Sequence, residues 1–300
     1  MTHYTHIRED IKAIAEKSNE DRINYIQSEF WISYPRSMDI IKKFHDLKNH
    51  PKVNRMPNYL LVGETNNGKT AILNKFIEEN SQDFVIDEGF SLIKSPIVSI
   101  QTPPSPDERR LYNEILKEMN VPHKLNERLD KKYYQLSRLI ESTNTRILIL
   151  DEIHSILSGT YKKQREFMTL LKYMSNDLKI GIIVAGTREA RIAINTDPQI
   201  ANRFSPITLP KWKLDTEFIQ LLYSFEWRLP LRKKSGLYEK ENFDLAKKIF
   251  YLSEGILGEL STILKMAAIQ AITSGNERIT STVLDQIDYD SPTQRPNITL

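Results

Sequence analysis

One stretch of this chain restricts its possible folds more than any other. Tyr59-Leu60-Leu61-Val62 runs into Gly63-Glu64-Thr65-Asn66-Asn67-Gly68-Lys69-Thr70, and a helical pattern follows at once. Four consecutive apolar residues closed by a glycine read as a short buried strand. From Thr70 to Glu79, Ile72, Leu73, Phe76 and Ile77 share one face of a helix. A glycine-framed turn between such a strand and such a helix gathers backbone N–H groups and the positive end of a helix dipole at one point, which is how backbone holds phosphate. The spacing G-x-x-x-x-G-K-[ST] adds a lysine that reaches the β and γ phosphates and a hydroxyl for Mg²⁺. The candidate contacts to ATP are therefore Gly63, Glu64, Thr65, Asn66, Asn67, Gly68, Lys69, Thr70 and the adjoining Ala71, with Thr70 also a metal ligand. Asn66-Asn67-Gly68 has hairpin-turn character too. No alternating strand follows Thr70, so that reading is rejected.

A second motif supplies acid. Arg146-Ile147-Leu148-Ile149-Leu150 is a strand that ends on Asp151-Glu152. In a parallel sheet the C-terminal ends of the strands share one edge, where ligands bind. Asp151 there suits Mg²⁺, and Glu152 suits polarisation of an attacking water, which needs a base within hydrogen-bond reach. Acids also suit a helix N-terminus, but the upstream phosphate loop favours the nucleotide site. A water-activating glutamate points to hydrolysis more than to phosphate transfer onto a second substrate.

Further strands are expected at Pro96–Ile100, Ile180–Ala185 and Pro206–Pro210, and helices at Arg109–Met119 and Lys131–Ser142. Strands alternating with helices imply a mostly parallel sheet covered on both faces. After Pro210 only helical patterns remain, at Thr216–Trp227, Asn242–Ser253, Gly258–Ser274 and Thr280–Asp288. The expected layout is an N-terminal helical segment over 1–57, a P-loop ATPase core over 58–212, a small helical lid over 213–290 and a loose tail over 291–300.

Composition removes other classes. The 300 residues contain no cysteine, which excludes a disulfide framework, a zinc-thiolate site and a cysteine nucleophile. Met1–Lys17 lacks the apolar core of a signal peptide, and the longest aliphatic runs are far short of a membrane span. A soluble, cytoplasmic protein without a membrane partner is expected. The net charge of +3 does not by itself announce a nucleic-acid binder. The basic runs near Lys162 and Arg232 read as solvated faces.

Taken together, several motifs resemble the TniB family, AAA+ ATPases of bacterial transposons related to TnsC. They are Trp31-Ile32-Ser33-Tyr34-Pro35-Arg36, Arg55 to Gly63 with the loop after it, Pro103-Pro104 before Arg109-Arg110-Leu111-Tyr112, and Asp151-Glu152-Ile153-His154. They continue through Ala185-Gly186-Thr187-Arg188-Glu189-Ala190, Gln199-Ile200-Ala201-Asn202-Arg203-Phe204 and Gly255-Ile256-Leu257-Gly258-Glu259-Leu260. The resemblance spans roughly residues 20 to 290. It implies an α/β AAA+ fold, a three-layer P-loop core with a parallel sheet and a C-terminal helical lid. It also implies assembly of many copies, as rings or helical filaments, on double-stranded DNA. The expected partners are a DDE transposase of the TniA/TnsB type and a TniQ-type adaptor, with ATP hydrolysis dismantling the polymer. Arg203 matches the arginine finger that completes a neighbour's site, and Thr187 the polar sensor after the fourth strand. Tyr34 and Pro35 are candidate adenine walls. Gly258-Glu259-Leu260-Ser261 departs from the pattern, because no sensor-2 arginine stands there.

DNA contacts are expected after the second core strand, with Arg109 foremost and Lys124, Lys131 and Lys132 behind it. Such contacts are sequence-neutral and salt-dependent, and many copies on one duplex multiply weak ones. Two other functions share these motifs: a helicase loader or replication initiator, and a nucleotide-switched scaffold that binds no DNA.

Overall fold

The computed structural model describes residues 4–80, 83–87, 90–195 and 198–295. Ahead of the glycine turn lie α1 (Glu9–Ala15), α2 (Asn19–Gln27) and α3 (Pro35–Asn49). The expected strand forms as β1 (Asn58–Gly63), and the helix after the turn as α4 (Lys69–Glu78). A short antiparallel pair, β2 (Asp83–Asp87) and β3 (Phe90–Lys94), precedes β4 (Ile97–Gln101). Next come α5 (Glu108–Glu118), α6 (Leu129–Ser142), β5 (Ile147–Asp151) and α7 (Tyr161–Asp177). Then follow β6 (Gly181–Gly186), α8 (Arg188–Asn195), α9 (Pro198–Ala201) and β7 (Phe204–Leu209). The remainder is helical: α10 (Thr216–Glu226), α11 (Phe243–Ser253), α12 (Leu257–Thr273) and α13 (Ser281–Asp285).

These elements form two compact units. The α/β unit comprises residues 35–65 and 69–209, and the helical unit residues 1–34, 66–68 and 210–300. The division differs from the expected one at the N-terminus. Residues 1–34 belong with the C-terminal helices, and α3 belongs with the sheet.

In the α/β unit the sheet order is β4-β5-β6-β1-β7, with every pairing parallel. β4, which separates the two motifs in sequence, takes an edge. The strand that physically separates β1 from β5 is β6. Strand residues alternate between faces. Leu60, Val62, Leu148, Leu150, Ile182 and Val184 share one core with Leu111, Tyr112 and Ile115 of α5, Leu136 of α6 and Phe167 and Leu171 of α7. Tyr59 points the other way and meets Phe44 of α3, which in turn packs on Phe76 of α4. Both sheet faces are thus covered, and the strands are buried enough to read as continuous apolar runs.

The helical unit is tied by buried charge. Arg22 of α2 is fully buried and donates to the Pro230 carbonyl at 3.0 Å, to Asn19 and to both carboxylate oxygens of Glu277. Arg232 donates to the carbonyls of Ala15 and Lys17. The basic run around it is therefore a structural tie as well as a solvated face. Glu226, also buried, accepts three backbone N–H groups from Ser235, Gly236 and Leu237 at 2.7–2.8 Å. The expected loose tail is anchored as far as it is described: Thr293 bonds Glu254, and Arg295 pairs with Glu259. Residues 296–300 lie outside the described residues.

Candidate nucleotide site

Parallel pairing brings the ends of β1, β5 and β6 to one edge of the sheet, with Gly186 beside Val62 and Gln101 beside Asp151. The glycine turn follows β1 at that edge. Lys69 opens α4 and is buried, at 5% exposure. Its ammonium curls back onto the turn and donates to the carbonyls of Gly63 at 3.1 Å and Glu64 at 2.9 Å. Burial pulls its pKa below the usual lysine range, while the carboxylates of Glu152, Asp151 and Glu64 oppose that shift. Asn66 and Gly68 hold the turn open with φ of 58° and 87°. The left-handed region is open to glycine and tolerated by asparagine.

The hydroxyl of Thr70 donates to Asp151 Oδ2 at 2.6 Å. The two residues expected to bind Mg²⁺ are therefore already in contact. Among the described residues no group of three or more His, Cys, Asp or Glu is placed to hold a metal. One carboxylate and one hydroxyl are what a Mg²⁺ that draws its other ligands from phosphate and water requires. The buried cation, the opened turn and the Thr70–Asp151 pair fit ATP and Mg²⁺.

Glu152 is backbone-strained. Its φ is 56°, although it follows a strand and is not a glycine or asparagine. Its N–H donates to Asp151 Oδ1 at 2.8 Å, and its carboxylate lies 3.0 Å from His154 Nε2. His154 Nδ1 is buried without a partner among the described residues. That arrangement leaves Nε2 as the protonated nitrogen, donating to Glu152. In sequence His154 stands out only as part of a family motif. Its placement two residues past the glutamate on a tight turn is the signal that could have found it.

Thr187 sits between β6 and α8. Its carbonyl accepts the Arg191 N–H at 3.3 Å, and its hydroxyl donates to Glu189, whose pKa is lowered by that bond above all. It thus stands at the start of α8, at the edge that carries Asp151. Arg203 occupies the opposite edge. It precedes β7, whose Phe204 aligns with Asn58 at the start of β1, whereas Leu209 aligns with Gly63. Five residue steps of strand separate the two ends, about 16 Å at the usual rise. Arg203 donates to Asn176, and its Nε is buried without a partner among the described residues. Burial, then the like charge of Arg55, lowers its pKa.

The other candidates divide. Tyr34 is buried edge-on against Trp212 in the helical unit, with ring centroids 5.1 Å apart. Pro35 starts α3 in the α/β unit and is exposed. Arg109 is half-buried in the first turn of α5, Lys124 is exposed, and Lys131 is exposed beside Glu127. Lys132 is a correction. It is 1% exposed, and its ammonium donates to Asn113 and to the Lys124 carbonyl. A lysine locked in that way braces the α5–α6 loop and has no reach to a phosphate backbone.

None of the curated protein sequences matches the chain. Solved structures do. The ORC2 protein of Aeropyrum pernix, in ADPNP–ADP complexes, aligns with TM-score 0.63 and 13% identity over 92% of this chain and 74% of that one. Cdc6p of Pyrobaculum aerophilum aligns with TM-score 0.58 and 17% identity over 85% and 68%. The ORC1 protein of Aeropyrum pernix in complex with DNA gives 0.58 and 13% over 88% and 67%. At such identities these likenesses establish the fold, that of the AAA+ ATPases. A family model described as bacterial TniB protein matches residues 22–214, a span that holds the glycine turn, the acidic pair, Thr187 and Arg203; the chain belongs to the TniB family.

Proposed function

We propose that this chain is an ATP-dependent transposition regulator that assembles on double-stranded target DNA and recruits and activates a DDE transposase. In this reading a TniA/TnsB-type transposase and a TniQ-type adaptor are its partners, and hydrolysis dismantles the assembly. One observation carries most of the weight. Lys69, Thr70, Asp151 and Glu152 gather at one sheet edge, while Arg203 lies at the other. An arginine so placed serves the site of a second copy, which ties turnover to assembly.

The turn N–H groups and Lys69 would hold the phosphates, and Thr70 with Asp151 would hold Mg²⁺. Bound ATP·Mg²⁺ supplies a phosphoryl group open to in-line attack. Glu152 would orient and deprotonate the water once its bond to His154 is exchanged for one to that water. Arg109, Lys124 and Lys131 remain the proposed DNA contacts. Each phosphate neutralised on duplex DNA adds about 0.9 to the slope of log affinity against log salt. Arg109→Ala is therefore expected to flatten that slope by about that amount.

A gel shift on random-sequence duplex with a non-hydrolysable ATP analogue tests the reading, followed by electron microscopy of the mixture. Nucleotide-dependent binding and multi-copy particles are expected. Binding of nucleotide without any DNA shift would leave the scaffold reading in its place. Capture of a replicative helicase instead of the transposase would favour the helicase-loader reading, which shares every core motif.

A further inference from the structure

The apex of the glycine turn belongs by its contacts to the helical unit, although both of its ends belong to the α/β unit. The contacts are specific. The Asn66 carbonyl accepts the Gly258 N–H at 2.8 Å, and Asn67 Oδ1 accepts the Leu257 N–H at 3.2 Å. Asn67, 1% exposed, also donates to the Pro210 carbonyl at 3.0 Å. The approach is close enough to require glycine at 258. A Cβ on Gly258 would lie 2.0 Å from Asn66 Oδ1 and 2.6 Å from the Asn66 carbonyl oxygen, and one on Gly68 would lie 2.9 Å from Leu257.

The side chain of Asn66 donates to Glu259 Oε1 at 3.0 Å. Glu259 is 6% exposed, and a carboxylate so buried needs compensation. The compensation comes from the C-terminal segment: the Tyr289 hydroxyl donates to Oε2 at 2.6 Å, and the Arg295 guanidinium pairs with both oxygens. Arg295 also covers the Tyr289 ring at 5.4 Å. Without Arg295 the buried charge is left to one hydroxyl and one amide, and the carboxylate must take up a proton or turn toward water. Turning toward water releases Asn66, and protonation weakens its hold by replacing a charged acceptor with a neutral one; Asn66 is the residue whose left-handed backbone shapes the turn.

We infer that Glu259 is a positioning residue for the phosphate turn, acting through Asn66, and that Tyr289 and Arg295 make nucleotide affinity depend on the C-terminal segment. The inference rests on the reading that this turn binds ATP. It assigns to a carboxylate the place where no sensor-2 arginine stands: the helical unit registers the turn's backbone shape, not the phosphate charge. Thermodynamic linkage makes the effect reciprocal, so nucleotide must also steady residues 289–295.

The test uses the full chain, a fluorescent non-hydrolysable ATP analogue with Mg²⁺, and anisotropy to obtain Kd. Arg295→Ala and Asn66→Ala are each expected to weaken binding about tenfold, within the usual range of coupling between sites. The double variant is expected to bind no more than about twofold worse than Asn66→Ala alone, because both changes cut one path. Glu259→Gln, which keeps an acceptor for Asn66, is expected to lose less than Arg295→Ala. Hydrogen exchange should show residues 289–295 gaining protection with nucleotide in the wild type and not in Asn66→Ala. Wild-type Kd retained in Arg295→Ala, or losses that multiply in the double variant, overturns the inference. Should Arg295→Ala fail to fold, Tyr289→Phe removes one hydrogen bond with the ring kept, and an unchanged Kd there overturns it equally. A wild type that binds no nucleotide at all defeats the ATP reading itself, a distinct result.

Discussion

Acid strength and architecture are linked at Glu259. Arg295 first, then Tyr289 and Asn66, hold this carboxyl well below the usual carboxylate range, from 4.5 to about 2. A depressed folded-state pKa gives stability that is complete above the unfolded value and is lost as pH falls through the folded one. The window is therefore pH 4.5 down to about 2. The three tryptophans, Trp31, Trp212 and Trp227, all lie in the helical unit, so their fluorescence reports its unfolding. In urea titrations the gap between wild type and Glu259→Gln is expected to be widest above pH 4.5 and to narrow toward pH 2. At the nucleotide site, Lys69→Ala is expected to abolish binding of a fluorescent ATP analogue. Glu152→Gln is expected to bind it normally and form assemblies, with steady-state hydrolysis reduced at least about a hundredfold. The proposed phosphate contacts are legible in sequence because the chemistry they would serve demands fixed spacing within a short run of consecutive positions. Glu259 is not, since its partners at Asn66 and Arg295 are 193 and 36 residues away. Lys132 reads wrongly as an open lysine for the same reason: burial is a property of the folded α5–α6 loop and leaves no mark on a lysine in sequence.

At the level of elements, the central strands are readable because burial on both faces leaves uninterrupted apolar runs, as in Ile147–Leu150 and Gly181–Ala185, and α4, α5 and α6 because their apolar residues recur at helical spacing. α7 is not, because its start, Tyr161 to Glu166, is polar and its apolar stripe, Phe167, Met168, Leu171 and Met174, begins late. The β2–β3 pair lies outside the main sheet and has no such run to announce it. The loop between α10 and α11 is equally hidden. Its turn at Ser235–Leu237 is held by the Glu226 carboxylate at the last position of α10. Glu226→Ala orphans three buried N–H donors, each worth about 1–3 kcal/mol. The helical unit is expected to lose roughly 3 kcal/mol or more, read as a lowered urea midpoint by tryptophan fluorescence. Glu226→Gln, which keeps one acceptor oxygen, is expected to lose clearly less.

For the whole molecule, the opposed placement of Lys69 and Arg203 predicts complementation. Arg203→Ala and Lys69→Ala are each expected to lack assembly-stimulated hydrolysis. Mixed in equal amounts on DNA, they are expected to recover a measurable part of the wild-type rate, because an intact turn on one copy meets an intact arginine on the next. Inactive mixtures alongside normal co-assembly would place the arginine's role elsewhere. The path of the chain carries a different consequence. It passes between units at 34/35, 65/66, 68/69 and 209/210, and Arg22 from the first stretch neutralises Glu277 in the last. Recombination between relatives therefore has no clean crossover near residue 210. A chimera that exchanges only the C-terminal helices inherits a buried cation and a turn apex fitted to another protein. Functional hybrids are expected only where residues 1–34 and 66–68 travel with residues 210–300, so the helical unit is inherited as three separated pieces of gene that must change together.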